Sequence, residues 1–459
     1  MRLKKGQTPS VFVVFLLVIF SLLVLNVSKI PPQYFFFLFV AIVIFALSFI
    51  NTNVALGILI FSMLLSPEMK LSQVADRPVV VRFDDIFLFV IFLAWLAKLA
   101  VFKDLRLVKQ TSLNAPIFIY CLVCLISTAI RLIEGRGQLL QSSFYYLKYL
   151  EYFLVYFLVL NNIHDMRQAK IFVFLLIATC VLVSLYGLYT YFSKGIRATA
   201  PFEGEGGEPN TLAGYLILLI SVMLGLLVYS ESSKLKVALF AILPFSVSAF
   251  ILTLSRGGWA GFFIMYLSFV LMARKAKGVL LFSLIVAMVL LPLLAPQKVK
   301  ERFTTTFVGD TTYTVMGKDV TLAESGVARI QAWKIGYRKL LEKPFFGHGI
   351  PGGSVIDNQF TRTMTELGLA GLFAFLFLMW RILRSCLRSI EECSRDPFAQ
   401  GIATGFLAGF IGLLVQTLSA ADFIIIRIME PFWFLMGIMV LLPGLIKNTE
   451  ALYVSSEET

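Results

Sequence analysis

The sequence predicts an all-α fold, a polytopic integral membrane protein with about 12–14 transmembrane helices and one long extracytoplasmic loop containing an amphipathic helix. Three observations carry this expectation. Of 459 residues, 59% are hydrophobic and only 15% charged, with 44 phenylalanines, more apolar surface than one or two soluble cores could hide. The apolar residues arrive in blocks of roughly the 20 residues needed to cross a hydrocarbon core. The short basic loops between these blocks all fall on one side once a topology is drawn.

The chain begins with Arg2, Lys4 and Lys5 ahead of the apolar run Val11–Val27. That run is too long for a signal-peptide core, and no small-residue cleavage site precedes Lys29-Ile30-Pro31, so it reads as a first retained span over 11–29. Further blocks lie at 33–50, 53–67, 85–102, 113–131, 146–161, 170–192, 211–230, 235–254, 257–273, 278–295, 363–384, 399–419 and 423–446. Block 53–67 is marginal and is a candidate re-entrant segment.

With the basic N-terminus inside, the cytoplasmic turns carry Lys103/Arg106/Lys109, Arg167/Lys170, Lys234/Lys236, Arg274/Lys275/Lys277 and Arg384/Arg388/Arg395. A net charge of +13 therefore reads first as positive-inside bias and not as a nucleic-acid surface. The domain division that follows is an N-terminal transmembrane bundle (1–295), an extracytoplasmic loop (296–361), C-terminal transmembrane helices (362–447) and a cytoplasmic tail (448–459).

Segment 296–361 holds nine Lys/Arg and six Asp/Glu, an excess of positive charge on the outer side, where the same rule makes it scarce. Within it Val327, Ile330, Trp333, Tyr337 and Leu340 recur at helical spacing, with Arg329, Lys334, Arg338 and Lys339 elsewhere around the helix. This is an amphipathic helix with a basic polar face, suited to a membrane surface.

Charges at the membrane edge are costly and mark candidate sites. In Thr253-Leu254-Ser255-Arg256-Gly257-Gly258-Trp259, Arg256 sits in a Gly-rich turn with little bulk to shield it. Its guanidinium can pair with a phosphate or pyrophosphate, or snorkel to lipid headgroups. A second cluster joins Arg197 to Glu203, Glu205 and Glu208 ahead of Pro209-Asn210, as a ligand loop or an ordinary exposed one. A third runs from Pro344-Phe345-Phe346-Gly347-His348-Gly349 through Asp357 and Asn358 to Glu366. Asp357 is either the N-cap of the following helix or a carboxylate placed to take a proton from a sugar hydroxyl.

Cys121 and Cys124 have C-x-x-C spacing but lie in an apolar run and read, like the other three cysteines, as small buried hydrophobes. The two histidines, His164 and His348, fall on opposite sides, so no metal site and no cofactor is expected. No phosphate-binding glycine loop of the nucleotide-binding kinds occurs.

The Leu254-Ser255-Arg256-Gly257-Gly258-Trp259 turn resembles the signature of the O-antigen ligase and polysaccharide polymerase superfamily. Other features stand in that family's order: Arg82-Phe83-Asp84-Asp85, Leu147-Lys148-Tyr149-Leu150-Glu151-Tyr152, and Arg197 to Pro209-Asn210. Then come Arg329, Trp333 and Pro344-Phe345-Phe346-Gly347-His348-Gly349, and lastly Glu366-Leu367-Gly368 with Gly371. The resemblance runs from about residue 80 to 440.

It implies a metal- and nucleotide-independent, inverting glycosyltransferase in the bacterial inner membrane, active on the extracytoplasmic face. The implied donor is an undecaprenyl-pyrophosphate-linked oligosaccharide; the acceptor is a glycan or lipid. Arg256, Arg329 and Arg197 match the pyrophosphate-binding positions, and His348, Asn358, Glu203 and Arg338 are further candidates for substrate contact. Ligases of the family place a histidine just before the Asn or Ser that opens the late helix. Here that position is Asp357, which favours a polymerase of O-antigen, capsule or exopolysaccharide and makes Asp357 the candidate base. A co-polymerase or flippase is the implied protein partner. The competing readings are a glycolipid transporter without bond chemistry and a scaffold in an export complex.

Overall fold

The computed structural model describes residues 32–74, 77–102, 109–203, 207–294, 296–304, 311–315, 318–322, 324–352 and 356–457. The expected first span at 11–29 lies outside these residues, as do Lys103, Arg106 and Glu205.

In chain order the elements are α1 (Pro32–Ile50), α2 (Thr52–Leu65), a hairpin of β1 (Glu68–Val74) and β2 (Arg77–Arg82), α3 (Phe83–Phe102), α4 (Asn114–Ile133) and α5 (Leu139–Asn162). Next come α6 (Met166–Lys194), α7 (Pro209–Tyr229), α8 (Ser233–Leu252), α9 (Arg256–Met272), α10 (Lys277–Leu294) and α11 (Gln297–Thr304). A second hairpin of β3 (Thr311–Val315) and β4 (Lys318–Leu322) leads to α12 (Glu324–Glu342), α13 (Gln359–Glu392), α14 (Pro397–Gln416) and α15 (Ile426–Glu457).

The fold is all-α and polytopic. Seven helices among the described residues are long and apolar enough to cross a membrane: α4, α6, α7, α8, α13, α14 and Ile426–Thr449 of α15. Shorter apolar helices accompany them, α2 and α9 among these. The 14 residues of α2 reach about 21 Å, short of the roughly 30 Å hydrocarbon core, which is why block 53–67 is marginal. Both hairpins are antiparallel and occupy connections where the sequence reading expected no strand. β-Branched residues in Arg77–Arg82 and Thr311–Val315 favour that local choice.

The centre of the bundle is α7 packed on α14. Gly401, Gly405 and Gly409 repeat every four residues along α14 and let the two backbones touch: a Cβ at Gly405 would stand 2.5 Å from the Ser221 carbonyl oxygen, and one at Gly225 2.0 Å from that of Gly401. In lipid, where apolar burial does not drive helices together, such close backbone packing supplies much of the association. α15 closes the core with Phe432, Trp433 and Phe434, ringed by Phe153, Phe406 and Phe410. Phe118, Phe240, Phe282 and Phe373 stand exposed on the outside of the bundle, as side chains facing lipid do.

Lys148 and Glu151, which the sequence places in apolar surroundings near a helix end, belong to a buried ionic network instead. Lys148 pairs with Asp85 and, at 3.3 Å, with Glu151; Arg82 pairs with Asp84, which also accepts from the Ser66 hydroxyl at 2.7 Å. Glu430 of α15 is fully buried beside them. Pairing among Lys148, Asp85, Arg82 and Asp84 offsets their burial cost, whereas neither carboxyl oxygen of Glu430 has a hydrogen-bond partner among the described residues.

α13 is broken at Gly368 (φ 66°, ψ −161°). The turn 344–349 supplies the missing hydrogen bonds: His348 and Gly349 N–H donate to the Thr365 and Glu366 carbonyls (2.9 and 2.8 Å), and Leu369 and Ala370 N–H donate to those of Pro344 and Phe345 (2.8 and 3.1 Å). A Cβ at Gly368 would stand 2.5 Å from the Phe345 carbonyl oxygen, and its φ is open mainly to glycine. The Pro344–Gly349 and Glu366–Gly368 motifs, far apart in sequence, are thus one interlocking device.

Candidate active site

Three connections meet at one end of the bundle: the loop after α6, the link between α8 and α9, and the segment after α10. Gly195, left-handed at φ 69°, ends α6. The chain then turns so that Ala198 N–H donates to the Leu252 carbonyl (3.0 Å) and Arg197 Nε to that of Thr253 (2.7 Å). That bond uses Nε and leaves the two terminal nitrogens of Arg197 for other partners. Farther along the loop, Arg427 Nη1 donates to the Pro201 carbonyl at 2.7 Å and Nη2 to that of Phe202 at 3.1 Å, holding it against α15.

Ser255 caps α9 by accepting from Gly258 N–H at 3.2 Å, which makes Arg256 the first helical residue. A cation there opposes the positive end of the helix dipole, an arrangement that an anion relieves. The sequence suggested that Gly257 and Gly258 leave Arg256 unshielded. Both glycines also have a packing role. A Cβ at Gly257 would meet the Ser419 hydroxyl at 1.7 Å, and one at Gly258 would meet Ala213 Cβ at 2.9 Å. They seat the first turn of α9 between α7 and the α14–α15 link.

A fourth arginine joins Arg197, Arg256 and Arg329. Lys298 of α11 donates to the Gly195 carbonyl (3.3 Å) and lies 5.6 Å over the Tyr191 ring, tethering α11 to the end of α6. One turn on, Arg302 comes within electrostatic range of the other three. Burial first, then Arg302 and Arg256, pull the Arg197 guanidinium down to about 10. Burial lowers Arg329 as well, with Arg302 in the same sense and the nearby Asp357 opposing. Cations held together in a partly desolvated site cost free energy that a multivalent anion removes.

Asp357 is exposed, two residues before the start of α13. The cap of that helix is Asn358, whose Oδ1 accepts from Thr361 N–H at 2.9 Å while Nδ2 donates to the Leu418 carbonyl at 2.6 Å. Of the two roles open to Asp357 in the sequence, capping falls to its neighbour.

The other candidates lie around this cluster. Glu203 is buried, accepts from Ala200 and Glu208 N–H (3.2 and 2.8 Å) and faces Arg427 at 3.9 Å. Burial raises its carboxyl to about 7, against the pull of Arg427. His348 lies in the α13 interlock, with Nε2 3.2 Å from Glu342 and Nδ1 3.3 Å from the Thr365 carbonyl. Arg338 is exposed on α12. Glu366, fully inside, accepts from Tyr149 OH (2.8 Å), Arg362 Nε (3.2 Å) and Gly352 N–H (3.3 Å), a binding set for the interlock.

Arg302 is a member of this cluster that sequence reasoning does not single out. The basic excess of 296–361 marks its segment, but only the Lys298–Arg302 spacing of one helical turn, and what lies beside it in space, marks the residue.

No curated protein matches the chain. Residues 239–376 match the family model of O-antigen ligase. That stretch takes in Arg256, Arg302, Arg329 and Asp357. The match supports the resemblance read from the sequence: over residues 239–376 the chain is similar to the O-antigen ligase family, and its long apolar helices fit a multi-pass membrane protein.

Proposed function

We propose that the protein is a membrane-embedded, inverting glycan transferase that takes an undecaprenyl-pyrophosphate-linked oligosaccharide on the extracytoplasmic face of the bacterial inner membrane. It works as a polymerase of O-antigen, capsule or exopolysaccharide repeats, or as an O-antigen ligase, without metal or nucleotide. The observation that carries this reading is the convergence of Arg197, Arg256, Arg302 and Arg329, from three connections of the fold, with Asp357 beside Arg329.

In this reading the arginines hold the pyrophosphate and stabilise the charge that builds on it. An acceptor hydroxyl oxygen attacks the anomeric carbon from the face opposite the leaving group. The bond from that carbon to the phosphate oxygen breaks, and its electron pair departs on undecaprenyl pyrophosphate. The hydroxyl proton passes to the Asp357 carboxylate and on to solvent. Asp357 in place of the ligase histidine favours polymerisation.

The test is incubation of purified protein with the host's lipid-linked oligosaccharide, without nucleotide or divalent metal, beside Arg256→Ala, Asp357→Asn and Asp357→Glu. A ladder of repeats that disappears in Arg256→Ala and Asp357→Asn is the expected result. Full activity in both Asp357 variants removes it as the base; a single addition to a lipid acceptor makes the enzyme a ligase. The transport reading draws on the buried network around Lys148 and Glu430, and predicts glycolipid movement in liposomes with no bond formed.

A further inference from the structure

Beside the arginine cluster, α12 and the start of α13 enclose a groove of about 320 Å³, lined by Trp333 and Tyr337 on one wall and by Asn358, Phe360, Thr361 and Met364 on the other. We propose that this groove is the acceptor subsite and that it binds a saccharide, with a sugar ring stacked on Trp333 and Tyr337 and its reacting hydroxyl directed toward Asp357. The proposal rests on the transferase reading above and assigns the acceptor its place.

Four features point to a sugar. Trp333 and Tyr337 stand one helical turn apart and remain 52% and 62% exposed, although both belong to the apolar side of an amphipathic helix. Wide aromatic faces left open in this way attract the C–H faces of a pyranose through the ring quadrupole. The wall opposite is mainly apolar, with few polar groups, Thr361 and the second amide N–H of Asn358, whose other bonds cap α13 and reach the Leu418 carbonyl; this is the pattern of a site that orients a small polar ligand. The volume lies at the small end of ligand pockets, room for roughly one or two sugar rings and not for a polyprenyl chain of tens of carbons.

Position is the fourth feature. Arg329 precedes Trp333 by one turn, about 6 Å along the helix, so it shares the stripe of Trp333 and Tyr337 and does not lie with the basic polar face to which the sequence pattern assigned it. Asn358, in the opposite wall, follows Asp357 directly. The groove therefore ends between the cation that belongs to the donor cluster and the carboxylate assigned as base. α12 is held there by Gly336, where a Cβ would meet Thr361 Cγ2 at 2.1 Å. This glycine lets α12 sit on the first turn of α13, so the helix expected to lie on the membrane surface is docked on the protein, with its aromatic residues flanking the contact.

The experiment measures binding of two probes to the full-length protein in nanodiscs: the lipid-free oligosaccharide repeat of the host, and farnesyl pyrophosphate as a short polyprenyl pyrophosphate. The variants are Trp333→Ala, Trp333→Leu, Trp333→Phe and Arg256→Ala. The expected result is an affinity for the oligosaccharide that drops at least ~10-fold in Trp333→Ala and Trp333→Leu and is largely retained in Trp333→Phe, because the ring face and not apolar bulk is recognised. Farnesyl pyrophosphate binding should be unchanged in the Trp333 variants and lost in Arg256→Ala. Unchanged oligosaccharide affinity in Trp333→Ala overturns the proposal. So does a loss of farnesyl pyrophosphate binding in Trp333→Leu, which would give the groove to the lipid. Farnesyl pyrophosphate binding that survives Arg256→Ala, together with loss of the oligosaccharide in Trp333→Ala, supports the groove and defeats the pyrophosphate assignment.

Discussion

Replacing Arg197 by glutamine separates the cost of the arginine cluster from its use. Burial, Arg302 and Arg256 bring the Arg197 guanidinium down to about 10, and that drop corresponds to about 3 kcal/mol of charging cost in the ligand-free protein. Solvent screening of a half-buried side chain reduces this to about 2 kcal/mol. The cost is present at pH 7, where the group is charged in both the folded and the unfolded chain. Glutamine removes the charge, and loses about 1 kcal/mol by weakening the bond from Nε to the Thr253 carbonyl. The net expectation is a ligand-free Arg197→Gln protein about 1 kcal/mol more stable than wild type. Its affinity for a pyrophosphate donor should fall by about 1.5–3 kcal/mol, roughly 10- to 100-fold, through loss of a charged hydrogen-bond donor. Thermal unfolding in detergent, with and without the lipid-linked donor, reads both quantities. A variant less stable than wild type without ligand, yet equally stabilised by the donor, would refute the idea that these cations are assembled for an anion.

Other regions of the protein give independent expectations. Asp422 is fully buried in the α14–α15 link and its carboxyl is raised by burial to about 7, opposed by bonds from Thr417 and Gln416. A raised carboxyl favours the protonated form in the folded chain, so stability should fall as pH rises from about 4 through 7, by on the order of 4 kcal/mol. Asp422→Asn should flatten that pH profile in chemical or thermal unfolding. Tyr149→Phe deprives the buried Glu366 carboxylate of its hydroxyl donor and should cost about 1.5–3 kcal/mol, measured as a lower unfolding temperature. Gly225→Ala, whose new Cβ would stand 2.0 Å from the Gly401 carbonyl oxygen, should cost about 3 kcal/mol or more by separating α7 from α14, read as loss of monodisperse protein on size exclusion.

The spans, the positions of most helices and the amphipathic character of 324–342 follow from the sequence, because bilayer thickness and hydrogen-bond satisfaction in lipid leave a chain this apolar little choice. Arg197, Arg256 and Asp357 stand out as candidates in one dimension, since a charge at a membrane edge is costly enough to attract notice, while Arg329 enters through the family resemblance. Tertiary structure alone decided what these residues do to one another. That Arg302 completes the cluster depends on Lys298 anchoring α11 to the end of α6, a contact spanning 103 residues. That Asn358 rather than Asp357 caps α13, and that Gly257 packs against the α14–α15 link, turn on the Leu418 backbone and the Ser419 side chain brought in from that link. The two hairpins and the buried pairing of Lys148 with Asp85 also lie beyond sequence periodicity. Hydropathy acts residue by residue along the chain and so is written there; electrostatics and close packing act between atoms a few ångströms apart, and only the folded chain sets those distances.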